Sequence, residues 1–195
     1  MEVTALLSAF GLSSAAGLNA YIPLVLVAVL GRAGVITVSA PFDVLTSWWA
    51  IALLAVFLVV EVIVDKVPGA DHINDVVQTF VRPAAGAILF ASSSGVASDV
   101  HPALALGCGL VLAFGVHATK AAARPVVNTT TMGSGAPVVS TSEDIASAVT
   151  SVLAVFLPIL VALLLVAFVV VGVWIWVRLR RLRRPPAKST PSSVS

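Results

Sequence analysis

Glu61, Asp65 and Lys66 close an apolar run, Pro68 and Gly69 interrupt it, and Asp71, Asn74, Asp75, Gln78 and Arg82 follow before Pro83. Glu61 and Asp65 are four apart and so share one face of a helix. A carboxylate at membrane depth is costly unless it is paired, protonated or wet. Both are therefore candidate ion or proton carriers. Further along, His117, Lys120 and Arg124 recur at helical spacing, and Asn128, Glu143 and Asp144 follow them. Arg82, Lys120 and Arg124 can neutralise the carboxylates, or can hold an anionic headgroup or solute by charge-assisted hydrogen bonds.

Other chemistries are less well supplied. Asp71, His72, Asp75, His117 and Glu143 offer oxygen and imidazole ligands that suit Mg, Mn or Zn. No HExxH and no paired Cys/His spacing organises them, however. No GxSxG elbow marks an activated serine. Cys108 lies within LGCGLVLAF, where a small apolar helix residue is the simpler reading. GSGAP at 133–137 lacks the Lys-Ser/Thr that a phosphate loop needs. No catalytic residue and no cofactor is indicated.

The composition says what must position these groups. Of 195 residues, 59% are apolar and 10% charged, and the mean hydropathy is +1.08. Soluble chains carry roughly 25% charged residues. The expected architecture is all-α: a polytopic membrane helix bundle of about five crossings plus a short amphipathic or re-entrant helix. Residues 1–177 form one membrane domain, and 178–195 a basic, Pro/Ser-rich disordered tail. Six of the eleven basic residues lie beyond position 177. The tail is expected to stay in the cytoplasm and to attract anionic lipid headgroups rather than nucleic acid. The first apolar run lacks a preceding Lys or Arg and is read as part of the mature protein. The bilayer is the expected partner, and a homo-oligomer is compatible with the sequence.

Along the chain, residues 4–31 form the first segment. Gly17, Asn19 and Pro23 within it predict a kinked or broken helix around GLNAYIP. A plain proline kink and a discontinuous helix lining a polar cavity both fit, and Asn19 at mid-membrane depth favours the second. A loop at 32–46 leads to Trp48 and Trp49, an interfacial pair. The second segment runs over 47–67. Residues 71–82 read as a separate amphipathic helix, with Ile73, Val76, Val77 and Phe80 on the face opposite the polar one. A third, weak crossing starts at Pro83, and a fourth covers 102–123. Then RPVVNTTTMGSGAPVVSTSED reads as a loop. Ser140 with Glu143, or Thr141 with Asp144, reads as a capping box that opens one long last helix, kinked at Pro158.

With the C-terminal arginines inside, five crossings place the N-terminus outside and Arg32 inside. The polar groups then converge on the outer side in an outward-facing chamber. VRPAA at 81–85 and ARPVV at 123–127 form a weak internal echo, either a duplication or chance. A small transporter or lipid-handling protein of the plasma membrane is the expected function. The alternatives are a metal-assisted intramembrane enzyme and a scaffold whose salt bridges only hold the bundle shut.

AAGLNAYIPL, DKVPGADHINDVVQTFVRPAAGA, HATKAAARPVVN and PVVSTSED together make the chain resemble the bacterial membrane-protein family known as domain of unknown function 4126. The resemblance covers about Ser8 to Leu165. It implies an integral membrane protein and carries no biochemical role with it.

Overall fold

The computed structural model describes residues 3–65, 70–131 and 135–182. Among them the chain is all-helical: α1 (Val3–Leu18), α2 (Tyr21–Arg32), a 3-10 helix (Phe42–Thr46), α3 (Trp48–Val64), α4 (Ala70–Ser92), α5 (Ser94–Ala97), α6 (Pro102–Thr131), α7 (Ala136–Phe156) and α8 (Pro158–Leu182). Three described stretches are long and apolar enough to cross a membrane: Pro102–Ala123, Pro137–Phe156 and Pro158–Arg178. The chain divides into two units between Ala162 and Leu163. In the second unit, the remainder of α8 exposes almost every side chain described. The end of the basic tail, 183–195, lies outside the described residues.

The first apolar segment reverses direction. Ala5 and Ser8 near the start of α1 line the same recess as Val27 of α2 and Gly34 and Val35 just beyond it. One continuous helix would put Val35 about 45 Å from Ala5 at 1.5 Å per residue. The turn is Asn19–Ala20, and its side chain is its cap. Asn19 Oδ1 accepts from the backbone N–H of Tyr21 at 3.0 Å and of Ile22 at 3.1 Å. Pro23 then sits in the first turn of α2, where a helix has no use for its missing N–H. The start of α1 and Arg32 therefore lie at one end of the bundle.

α1 is the central post, packed by α4, α6 and α7. Its second half is mostly small and buried, including Ala9, Gly11, Ser13, Ala15, Ala16 and Gly17. A Cβ on Gly17 would lie 2.6 Å from Val116 Cβ, and one on Gly86 of α4 would lie 2.7 Å from Gly109 O of α6. Small residues let membrane helices approach this closely, and the contact itself then supplies the attraction. Ser13 Oγ donates to Gly86 O at 2.9 Å and ties α1 to α4.

Four boundaries differ from the sequence expectation. Residues 71–82 are no separate helix but the first half of α4, which continues through Pro83. The proline costs one backbone bond, and Ala85, Gly86 and Ala87, buried beside it, hold the helix in place by packing. α6 likewise runs through Arg124 and Pro125 to Thr131 instead of ending in a loop. Thr and Asn lose at most about 0.7 kcal/mol each in a helix, too little to end one. α7 starts at Ala136 with Pro137 in its first positions, so Ser140 and Thr141 are interior residues and no capping box forms. The last helix is also two: Leu157 leaves helical geometry at φ −137°, ψ 56°, and Pro158 opens α8.

Candidate functional site

α4 is amphipathic with its polar face inward. Gln78 and Arg82 are buried, whereas Val76, Val77 and Phe80 are exposed, Phe80 by 75%. A soluble helix does the opposite, so this face distribution is what hydrocarbon outside and charge inside require. The four-residue step from Gln78 to Arg82 continues the line of Asn74, and these side chains meet the end of α3.

Asp65, the residue that ends α3, is the hub. Its carboxylate faces the negative end of the α3 dipole and needs compensation. It receives it from three other helices. Asn74 Nδ2 donates to Oδ1 at 2.7 Å, and Ser140 Oγ of α7 donates to Oδ2 at 3.3 Å. Arg82 Nη2 stands 3.8 Å and Lys120 Nζ of α6 4.0 Å from Oδ2. One turn back on α3, Glu61 Oε1 pairs with Arg82 Nη2 at 3.0 Å, both side chains being buried. Lys120 Nζ pairs with Glu143 Oε2 of α7 at 2.6 Å. Pairs this deep are worth little net, because desolvation offsets the attraction, but breaking one strands a charge.

His117 is drawn in by the same arginine. Arg82 Nη1 lies 3.3 Å from Nδ1 of His117, and a guanidinium only donates, so Nδ1 is the acceptor. The proton sits on Nε2, which faces Thr79 Oγ1 at 3.2 Å. The ring is a neutral link between α4 and α6.

The α1–α2 turn is planted in this cluster. Asn19 Nδ2 donates to Asp144 Oδ1 at 2.9 Å. Lys120 Nζ reaches Leu18 O at 3.4 Å, and Ser147 Oγ donates to Ala15 O at 3.0 Å. The carbonyls of Leu18 and Asn19, beyond the last helical bond of α1, are thus met by a cation and by the Ser147 hydroxyl, as a helix C-terminus requires. Glu61 Oε2, Gln78 Oε1 and Arg82 Nε are buried without a hydrogen-bond partner among the described residues.

Of the residues singled out from sequence, Asn19, Glu61, Asp65, Asn74, Arg82, His117, Lys120, Glu143 and Asp144 fall in this one network. Gln78 is buried on the same face of α4. The side chains of Asp71, His72, Asp75, Arg124 and Asn128 lie outside the described residues. Among those described, no group of three or more His, Cys, Asp or Glu could hold a metal ion. Cys108 is exposed on α6, away from the charges. Ser140, Ser147 and Thr79 were missed. The signal was present: Ser140, Asp144, Ser147 and Ser151 recur at steps of four, three and four, one helical stripe, but the expected loop and capping box hid it.

Neither a curated protein nor a solved structure matches the chain. A family model does: the one described as domain of unknown function 4126 matches residues 6–178, in line with the motifs quoted from the sequence, and the chain belongs to that family.

Proposed function

We propose that this is a multi-pass plasma-membrane transporter or lipid-handling protein, with its basic tail in the cytoplasm and a site for a charged solute or headgroup at the α1–α2 turn. One observation carries the proposal. The break between α1 and α2, Asn19–Ala20, is held at the centre of a buried set of charges by Asp144, Lys120 and Ser147. Discontinuous helices whose ends meet charged groups inside the bundle are how secondary transporters build sites near the bilayer midplane. If Trp48 marks an interface, Glu61 lies about 20 Å further along α3, inside a hydrocarbon core of about 30 Å. Charges at that depth are usually there to be used. The metal-assisted alternative would draw on Asp71, His72 and Asp75, whose side chains lie outside the described residues.

In this arrangement Arg82 closes on Glu61 and Lys120 on Glu143. For transport, these pairs would exchange partners with the cargo, and on this reading the pairing seen is that of a closed state. The same direct pairing favours a second reading, a scaffold whose charges only lock the helices. Protein reconstituted in liposomes separates the two, assayed for solute, proton and lipid movement beside Glu61→Gln. Movement by the wild type that Glu61→Gln abolishes, with the variant still folded, supports the transporter. No movement by either, with stability alone lowered in the variant, leaves the scaffold.

A further inference from the structure

At the end of α1 remote from the charges lies a recess of about 310 Å³. That is at the lower edge of the roughly 300–1,000 Å³ typical of small-molecule sites. Its described lining carries no charged residue, and Leu12, Val27 and Val155 give it apolar walls. The strap after α2 covers one side. It is fastened to the end of α4 by Ser39 N–H donating to Ser92 O at 2.9 Å and by the Val38–Ser93 bridge.

The hydroxyls on the wall divide into two kinds. Ser8 Oγ donates its hydrogen to Ala154 O at 2.6 Å, and Ser92 and Ser93 Oγ donate theirs to Leu89 O at 3.1 and 3.2 Å. With their hydrogens spent, these serines can offer a guest only lone pairs. Thr37, on the strap, also lines the recess. Its hydroxyl has no hydrogen-bond partner among the described residues, and since the residue is exposed it can donate to solvent or to a guest. A guest that bridges both walls would donate to a serine and accept from Thr37 while filling an apolar space. An ammonium only donates and would bring a charge with nothing to pair it; an ether only accepts.

We propose that the recess is a binding site for a small neutral alcohol, its hydroxyl held between the serine wall and Thr37 and its alkyl part against Leu12, Val27 and Val155. The site is separate from the charged cluster and does not depend on what that cluster does.

The test uses the full chain in lipid nanodiscs, with Val35→Cys as a reporter in a Cys108→Ala background. Val35 lines the recess and is 54% exposed, so the change is tolerated and the thiol is open to a maleimide. The probes are 1-hexanol, hexyl methyl ether and hexylammonium. At four times its Kd, hexanol should slow labelling about five-fold, because only the empty fraction reacts. At the same concentration, ether and ammonium should slow it less than about two-fold. Thr37→Val, on the exposed strap, should bring hexanol down to the ether value. A reporter at Val44, which does not line the recess, should be unaffected by all three and so corrects for partition into the lipid. Equal protection by alcohol and ether would reduce the site to an apolar crevice. Strongest protection by hexylammonium, or none by any probe, would overturn the proposal.

Discussion

The two ends of α1 are built on opposite rules. At the Asn19 end, four carboxylates, two cations and a neutral histidine from four helices are joined, Asp144 through Asn19, in one network. At the Ser8 end, hydroxyls turn their hydrogens back onto helix carbonyls and the walls are apolar. Both ends solve the problem of buried backbone and polar groups. The first does so with long-range pairs, which are strong only while complete. The second uses bonds that are mostly local, each small and independently lost. The difference teaches that the charged end should fail cooperatively and the hydroxyl end in small steps.

Variants at the two ends can break or sharpen that contrast. The largest expected effect is Arg82→Ala. It strands Glu61, takes one cation from Asp65 and removes the donor to His117. A loss of about 3–5 kcal/mol is expected, read as a fall in melting temperature in detergent. Adding Glu61→Gln to Arg82→Ala should recover part of that loss, because the double variant leaves one fewer buried charge unpaired. If the two losses simply add, the pair is not coupled and the cooperative picture fails.

Next is the post between the two ends. Gly86→Val forces a side chain against Ala113 and the Gly109 carbonyl, and about 1–3 kcal/mol should be lost. Gly115→Val on α6, with nothing within 4 Å of the added Cβ, should stay within about 0.5 kcal/mol. Asn19→Ala removes the cap of α2 and the bond to Asp144, with about 0.5–2 kcal/mol expected. The smallest effect belongs to the recess. Ser93→Ala deletes one bond to Leu89 O, which Ser92 also serves, so about 0.5 kcal/mol is expected from chemical denaturation. A loss at Ser93 as large as that at Arg82 would remove the distinction between the ends.

Much of this was legible in the residues themselves. The low charge and long apolar runs set the all-helical membrane class, because hydrocarbon leaves backbone polar groups no partner but the helix itself. The polar face of residues 74–82 and the carboxylates at 61 and 65 marked the cluster by type and spacing alone. Asn19 was noticed because an amide is out of place in an apolar run. Hidden from the sequence were the reversal at Asn19–Ala20, the continuation of α4 and α6 through proline, and the hub role of Asp65. Each depends on what packs alongside. Pro83 is tolerated because small residues wedge α4 between α1 and α6. Asp65 becomes a hub because α4, α6 and α7 deliver donors to it. Type and spacing are properties of the chain; pairing is a property of neighbours far apart in it, and only the tertiary structure supplies those.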